Sequence, residues 1–164
     1  MKAKDIMELV TCDYMCLMPD ETIKEAVNKF RRTKLEHYHE GVKGLPVMDE
    51  AGDLVGMVAV KDILRAVVPT YMTKALSEFT WEGWLDASVK KVGDTKVKEI
   101  MTTHLITVSE DAPLMECANL FLQYNLQRLP VKNNEGRLVG VIYLRNIYYA
   151  IVRILLDEEN GHDQ

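Results

Sequence analysis

The chain repeats itself, and this internal repeat limits the possible folds more than any other feature of the sequence. KAKDIM at residues 2–7 recurs as KVKEIM at 96–101, an offset of 94 residues. GLPVMDEAGDLVGMVAVKDIL at 44–64 aligns with RLPVKNNEGRLVGVIYLRNIY at 128–148, an offset of 84 residues. Two copies of about 60 residues therefore follow one structural plan within the 164 residues of the chain.

A helix is predicted between these blocks in both copies, because TIKEAVNKF at 22–30 aligns with PLMECANLF at 113–121. Apolar side chains recur there at positions i, i+3, i+4 and i+7, which line one face of a helix. Thr22 and Glu25 have capping-box spacing, and Pro113 suits a first helical turn. The offset of 91 residues gives the first copy three extra residues before this helix and seven after it. The apolar stripe consists of Ile23, Ala26, Val27 and Phe30 in the first copy, and of Leu114, Cys117, Ala118 and Phe121 in the second.

The rest of each copy predicts a hairpin followed by a second helix. A short strand ending in LPV, a turn at Gly52 or Gly136 and a β-branched strand are typical of a β-hairpin. KDILRAVV and RNIYYAIVRILL then favour a closing helix, while CDYMCLM and HLITV are predicted as short strands before the first helix. Each copy is thus a β-α-β-β-α repeat. Because one such repeat buries little core, we expect an α+β fold in which the two pack as a pseudo-two-fold pair.

The segment between the copies is an elaborated connector of mixed composition. Its apolar residues Leu76, Phe79, Trp84 and Leu85 favour partly helical structure packed on the body of the protein. They form either core or a contact surface between subunits, and the sequence leaves both interpretations open. The predicted domains are repeat 1 at 1–68, the connector at 69–94, repeat 2 at 95–156 and an acidic C-terminal tail at 157–164.

Composition indicates a globular protein of the cytoplasm. Hydrophobic residues make up 48% of the chain, without long Gly/Ser or Pro tracts. The apolar runs are too short to span a bilayer, and MKAKDIMELV lacks the features of a signal peptide. An odd, sparse set of cysteines (Cys12, Cys16 and Cys117) is not a disulfide framework.

Charge and motifs argue against several functional classes. The net charge is −5 and the bases are scattered, which does not favour nucleic acid as a partner. The sequence contains no recognisable catalytic motif, so we predict that the protein is not an enzyme. Cys12 and Cys16 with His37 and His39 lack a standard zinc spacing. A strand at CDYMC would place both cysteines on the side of Tyr14, as core or surface; redox or metal sensing remains a weaker alternative.

The ordered set KVKEIM, ITV, LPV and G-x-x-x-x-x-[DN], present twice, resembles tandem cystathionine-β-synthase (CBS) domains. The resemblance covers nearly the whole chain and implies a stand-alone pair of β-α-β-β-α units that forms a homodimer. It also implies a regulatory sensor that binds AMP, ADP, ATP or S-adenosylmethionine in the cleft between the repeats and acts on an unidentified protein. No cofactor is required under this interpretation, and no membrane insertion is expected.

The family pattern for ribose binding, G-h-h-[ST]-x-x-[DN], matches the first copy at Gly56 and Asp62. Its hydroxyl position holds Ala59. A carboxylate at the start of a helix can accept hydrogen bonds from both ribose hydroxyls. The alternative is that Asp62 only N-caps a helix at 63–68.

In the second copy Gly140 matches the same pattern, Asn146 stands at the carboxylate position and Tyr143 replaces the hydroxyl residue. A helix cap is the favoured role of Asn146, with ligand binding as the alternative, and the bulky Tyr143 can fill its own cleft. Only the first copy keeps the carboxylate. The alternative function is therefore a non-binding dimeric interaction scaffold with degenerate clefts.

The remaining candidates are basic residues for phosphate and strand residues for adenine. The bases Lys61 and Arg145 precede the carboxylate or amide position, and Lys43 and Arg128 precede the LPV strands. Lys61 with Arg128 is the preferred pair, and ordinary surface charge is the alternative for each. The full predicted set of ligand-binding residues is Asp62, Lys61, Arg128, Ala59, Val58, Ile106, Thr107, Val108, Arg145, Asn146 and Lys43.

Overall fold

The computed structural model describes residues 1–33, 42–68 and 81–160. The chain divides into two compact units. Each unit takes its leading segment, residues 1–8 or 95–102, from the other sequence repeat. Thr11–Leu105 form the Asp62 unit, and Met1–Val10 with Ile106–Gln164 form the Asn146 unit. The division predicted from the repeats therefore describes the sequence and differs from these compact units at both leading segments.

Both units mix helices and strands, as the repeats predict. In chain order the described elements are α1 (Ala3–Ile6), β1 (Glu8–Leu9), α2 (Cys12–Met15), α3 (Ile23–Arg32), β2 (Gly44–Met48), β3 (Leu54–Ala59), α4 (Val60–Val67), α5 (Trp81–Gly93), α6 (Val97–Ile100), β4 (Val108–Ser109), α7 (Leu114–Tyr124), β5 (Arg128–Lys132), β6 (Leu138–Tyr143) and α8 (Leu144–Asn160).

The predicted hairpins are confirmed, and they are built alike. β2 pairs antiparallel with β3, and β5 pairs antiparallel with β6, with a register shift at the same point in both. The turns use Gly52 at φ 81° and Gly136 at φ 78°, a left-handed backbone that glycine adopts without a steric penalty. The two hairpins therefore place their last strand residues, Ala59 and Tyr143, at equivalent points.

The strands beside each hairpin also follow one order. In the Asn146 unit the sheet runs β1-β6-β5-β4, with β4 parallel to β5. In the Asp62 unit, single bridges take the two edge positions: Leu17 pairs parallel with Val47, and Thr102 pairs antiparallel with Met57. Each leading segment thus lies beside the second strand of a hairpin that belongs to the other repeat.

The first helix of each repeat forms where the stripe predicts it. Thr22 caps α3, because its hydroxyl accepts from the Glu25 N–H at 3.2 Å while the Glu25 carboxylate accepts from the Thr22 N–H at 2.7 Å. Ile23 and Phe30 of this helix are buried in the core, and Cys117 and Phe121 of α7 are buried likewise. The capping box and both stripes are therefore confirmed, although Val27 remains 37% exposed.

Three local predictions are wrong. CDYM forms the short helix α2 rather than a strand, since no β-branched residue favours extension there. A disulfide joins Cys12 to Cys16 one helical turn away, whereas the sparse cysteines predicted none. α4 begins at Val60 rather than near residue 63.

Some expectations concern residues outside the described ranges. EHYHEG at 36–41, with His37 and His39, lies there, as do Leu76 and Phe79 of the connector. The predicted helical structure of the connector is present as α5. No helix in the described part of the chain is both long and apolar enough to cross a membrane.

Candidate functional site

The Asp62 corner, defined as Gly56 to Asp62, is the point at which β3 passes directly into α4. Ala59 is the N-cap residue of α4, and Asp62 is the third helical residue rather than the expected N-cap. The Asp62 Oδ2 atom accepts a hydrogen bond from the Ala59 N–H at 2.8 Å. Asp62 therefore caps the helix by accepting from the N–H of its N-cap residue. This half of a capping box needs no side-chain acceptor on Ala59.

The other carboxylate oxygen of Asp62 is also occupied. Its Oδ1 atom accepts from the Thr102 hydroxyl at 2.9 Å and from Arg65 Nη1 at 3.0 Å. The Asp62 side chain is only 7% exposed. A buried carboxylate needs such partners, because an unpaired charge in the interior is costly. Neither Thr102 nor Arg65 is among the site residues predicted from the sequence.

Gly56 allows the leading segment to approach this corner closely. A Cβ atom at Gly56 would lie 2.6 Å from Met101 Sδ and 3.1 Å from the Thr102 carbonyl oxygen. Thr102 exchanges two backbone hydrogen bonds with Met57, each 2.9 Å long. The glycine of the family pattern thus has a packing reason in this unit, independent of any ligand.

The Asn146 corner, defined as Gly140 to Asn146, has the same geometry but the opposite hydrogen-bond polarity. Asn146 Oδ1 accepts from the Tyr143 N–H at 2.7 Å, and Asn146 Nδ2 donates to Glu8 Oε1 at 3.0 Å. Glu8 precedes Thr102 by 94 residues and occupies its position in the repeat. The equivalence was visible in the sequence, because both residues directly follow the repeated K-x-K-x-I-M motif.

Tyr143 fills the Asn146 corner together with basic residues. The Arg145 guanidinium lies 4.8 Å from the centre of the Tyr143 ring, within the range of a cation–π contact. Arg145 Nη2 is also 3.7 Å from Glu8 Oε1, and Arg128 pairs with Tyr143 across the hairpin. Burial raises the pKa of the Tyr143 phenol, against the opposing influence of Arg128 and Arg145. The corner therefore holds a neutral phenol beside two cations.

In the Asn146 unit, a pair of lysines holds the leading segment to the loop before α7. Asp111 Oδ1 lies 2.8 Å from Lys4 Nζ and 3.3 Å from Lys2 Nζ. Hydrogen bonds from these lysines lower the pKa of the Asp111 carboxyl, and Asp111 raises the pKa of Lys4.

The Asp62 unit repeats this lysine pair at equivalent positions. Asp20 Oδ1 lies 3.0 Å from Lys98 Nζ and 3.4 Å from Lys96 Nζ. Hydrogen bonds from Lys98 and then Lys96 lower the pKa of Asp20. Exposed ion pairs of this kind stabilise little, and both units nevertheless place them at equivalent positions.

The remaining predicted site residues divide between the two units. In the Asp62 unit Lys43 and Lys61 are exposed, and the Lys43 carbonyl accepts from the Val60 N–H at 3.1 Å. Val58 is fully buried, so its side chain belongs to the core. The Asn146 unit contains the half-buried Ile106 and Thr107, the buried Val108, and Arg128, Arg145 and Asn146. The preferred phosphate pair, Lys61 and Arg128, is thus split between the units.

The Asp62 unit also has a groove of about 520 Å³ between α3, α4 and α5. Its walls are mainly aliphatic, and two lysines lie among the lining residues. The lining residues are Ile23, Lys24, Val27, Asn28, Ile63, Val67, Val89, Lys90, Val92, Gly93 and Asp94.

Metal and thiol chemistry finds little support in the described ranges. Residues 1–33, 42–68 and 81–160 contain no group of three or more His, Cys, Asp or Glu side chains placed to hold a metal ion. The disulfide removes the Cys12 and Cys16 thiols as ligands. Burial raises the pKa of the Cys117 thiol, which disfavours its reactive thiolate form.

Comparison with known proteins agrees with the repeated architecture. The family model described as the CBS domain matches residues 3–69 and 97–153. An uncharacterized protein of Methanocaldococcus jannaschii is 25% identical over 171 residues, covering 93% of this chain and 92% of that protein. Inosine-5'-monophosphate dehydrogenase of the same organism is 31% identical over 140 residues, covering 85% of this chain, but this chain spans only 22% of that enzyme.

Solved structures share the fold over nearly the whole chain. The CBS-pair protein CBSX2 from Arabidopsis thaliana is 26% identical, with a TM-score of 0.69 over 93% of this chain and 95% of that chain. The structure of CBSX2 in complex with AMP is 24% identical, with a TM-score of 0.66 over 93% of this chain and 97% of that one.

Proposed function

Because this chain belongs to the CBS-domain family as a tandem pair, we propose that it is a regulatory module rather than an enzyme and that it binds an adenine nucleotide or related adenosyl ligand. The ligand binds at the Asp62 corner. The single observation that carries the proposal is the buried Asp62 carboxylate at the start of α4, beside the exposed Lys61. The complex of the related CBSX2 with AMP supports this class of ligand.

Each part of the Asp62 corner has a chemical role in this proposal. The carboxylate accepts hydrogen bonds from the ribose hydroxyls, as charge-assisted bonds of this type are the strong ones. Lys61 and Lys43, both exposed near the corner, attract the phosphate, and the N-terminal end of α4 favours an anion. Ala59 supplies no hydroxyl, so the carboxylate carries most of the recognition of ribose.

The Asn146 corner does not bind a second ligand in this proposal. Tyr143 occupies the position of the family's small hydroxyl residue, and Arg145 stacks on its ring. Asn146 directs its amide group to Glu8 and so offers no free pair of acceptors. We therefore expect one nucleotide per chain.

The test is a calorimetric titration of the full chain with AMP, ATP and S-adenosylmethionine. Asp62→Asn keeps the size of the side chain and an oxygen for the Ala59 N–H, but it removes the charge. We expect its affinity to fall by about 1.5–3 kcal/mol, the value of a hydrogen bond to a charged group. Asp53→Asn is the matched control, since it makes the same change of charge on the exposed hairpin turn of the same unit. Absence of heat with all three ligands, in protein shown to be folded, would contradict the proposal.

A dimeric scaffold that binds no nucleotide is the second candidate, and it is favoured by the occupied state of both corners. Asp62 already accepts three hydrogen bonds, and Tyr143 fills the other corner. Under this function Asp62→Asn changes only the stability of the protein, whereas under the first it changes ligand affinity. The same titration therefore separates the two functions.

Either function includes a homodimer, for which the Asn146 unit provides an apolar surface. One stripe of α8 is exposed although it is apolar: Leu144 at 50%, Tyr148 at 61%, Ile151 at 44% and Leu155 at 59%. Exposed apolar stripes of this kind are typical of protein–protein contacts. Sedimentation of wild type and of Leu155→Glu tests this, with a dimer expected for the former and a monomer for the latter. A monomeric wild type would contradict it.

A further inference from the structure

The acceptor capacity of Asp62 is nearly used up within the protein itself. A carboxylate offers roughly four acceptor positions, two on each oxygen. Three donors already occupy them: the Ala59 N–H on Oδ2, and the Thr102 hydroxyl and Arg65 Nη1 on Oδ1. A neighbouring pair of ribose hydroxyls needs two positions, one on each oxygen. Since Oδ1 already has two donors, ribose cannot bind both oxygens unless one of those donors leaves.

The three donors differ in how easily they can leave. The Ala59 N–H belongs to the N-cap residue of α4, and its loss from Asp62 would remove the capping contact at the start of the helix. The Arg65 side chain is 70% exposed, and its charge continues to attract the carboxylate over a longer distance. The Thr102 hydroxyl is neutral and needs only a rotation about χ1 to release Oδ1. Thr102 is therefore the donor that a ribose hydroxyl replaces at least cost.

The Asn146 unit shows why this exchange belongs to one corner only. There the equivalent position holds Glu8, an acceptor, which receives the Asn146 amide and lies 3.7 Å from Arg145. Removing Glu8 from that corner would leave the Asn146 amide donor without its acceptor, which is costly. Thr102 can leave Asp62 with no such penalty, because Arg65 and the Ala59 N–H still satisfy the carboxylate.

We propose that the Thr102 hydroxyl is an internal competitor for the ligand at Asp62, so that a ribose hydroxyl binds by replacing it. The inference rests on the proposed binding of an adenosine ligand at the Asp62 corner. It also assigns a regulatory consequence to binding. The leading segment at 95–102 is joined to the corner by this hydroxyl, so the ligand loosens one of its ties and shifts the population of its positions.

The decisive variant is Thr102→Val, which removes the hydroxyl but keeps the β-branched shape and the backbone pairing with Met57. If Thr102 competes with the ligand, Thr102→Val binds AMP about three- to tenfold more tightly than wild type in a calorimetric titration. Thr102→Ser keeps a competing hydroxyl and is expected to retain the wild-type affinity. The matched control is Thr103→Val, which makes the same change at the next, exposed residue.

A second ligand distinguishes competition from a general structural effect. The monophosphate of 2′,3′-dideoxyadenosine lacks both ribose hydroxyls, and so it lacks the one that would replace the Thr102 hydroxyl. Thr102→Val should therefore leave the affinity for this analogue unchanged while it increases the affinity for AMP. An equal gain for both compounds would overturn the inference, because a looser corner would then admit either one.

The remaining outcomes distinguish a failure of this inference from a failure of the proposed ligand binding at the Asp62 corner. If wild type binds AMP, Asp62→Asn weakens binding and Thr102→Val does not strengthen it, then Thr102 is only a structural partner and the inference alone is overturned. If AMP binds equally well to wild type and Asp62→Asn, the site assignment fails and the inference fails with it. No binding to either wild type or Thr102→Val overturns both.

Discussion

The two strand-to-helix corners are built on the same backbone and differ in which side chain provides the acceptor. At the Asp62 corner the helix residue accepts and Thr102 of the leading segment donates at 2.9 Å. At the Asn146 corner the helix residue donates and Glu8 of the leading segment accepts at 3.0 Å. A hydrogen bond thus occurs at the same place in both corners, although its donor and its acceptor differ. A carboxylate that matches a family motif can therefore receive its hydrogen bonds from donors within the protein as well as from a ligand.

The largest expected effect on stability comes from substituting the two glycines that the leading segments approach closely. A Cβ atom at Gly140 would lie 2.8 Å from the Glu8 carbonyl oxygen, whereas at Gly56 the nearest backbone atom is 3.1 Å away. Gly140→Ala therefore has to move backbone and should lower the free energy of unfolding by about 2–3 kcal/mol. Gly56→Ala presses mainly on the flexible Met101 side chain and should cost about 1 kcal/mol. Urea unfolding measures the free energy of unfolding of both variants. A larger loss for Gly56→Ala than for Gly140→Ala would contradict this prediction.

The next test adds a charge at the Asn146 corner. Asn146→Asp places a second carboxylate against Glu8, and it should lower the free energy of unfolding by about 1–3 kcal/mol at neutral pH. Adding Glu8→Thr to this variant rebuilds the pair seen at Asp62 and Thr102, so most of the lost stability should return. The loss should also diminish in acid, where one of the two carboxyls takes up a proton. If Glu8→Thr does not restore stability, the direction of this hydrogen bond cannot be exchanged between the two corners.

A smaller effect, of opposite sign, concerns the residue at which each helix starts. Ala59→Ser gives α4 a side-chain acceptor at its N-cap and should raise the free energy of unfolding by about 0.5–1 kcal/mol. Tyr143→Ser makes the same change before α8, but it also removes the ring against which Arg145 packs, and so should lower stability. Thermal unfolding of the two variants compares them. Equal gains in both would show that the Tyr143 ring contributes nothing to its corner.

The smallest effect is the pH dependence of the two lysine pairs. Because Asp20 and Asp111 have lowered pKa values in the folded state, their contribution is present above the ordinary carboxyl pKa of about 4 and is lost as the pH falls through the folded value. Asp111→Asn should therefore lower the unfolding temperature slightly at neutral pH and match wild type in strong acid. Asp20 is the more exposed side chain, at 74% against 40%. Solvent screens the ion pairs of Asp20 more strongly, so Asp20→Asn should have the smaller effect. A larger effect for Asp20→Asn than for Asp111→Asn would contradict this prediction.

Local sequence patterns predicted the repeated elements correctly because they depend on neighbouring residues. The stripe through Ile23 and Phe30, the capping box at Thr22 and the turn at Gly52 each follow from residues a few positions apart. Local patterns failed at CDYM, where four residues carry too little periodicity to separate a strand from a helical turn. They also placed the start of α4 three residues late, and so mistook the role of Asp62 at the helix terminus.

The sequence by itself determined that one β-α-β-β-α plan is written twice, that Asp62 survives in only one copy and that the usual hydroxyl survives in neither. Only the tertiary structure decided that each leading segment belongs to the unit of the other repeat and that Thr102 and Glu8 meet the two corners. The physical reason is separation along the chain. Thr102 is 40 residues from Asp62 and Glu8 is 138 residues from Asn146, so only the packing of strands can bring their side chains within hydrogen-bonding distance.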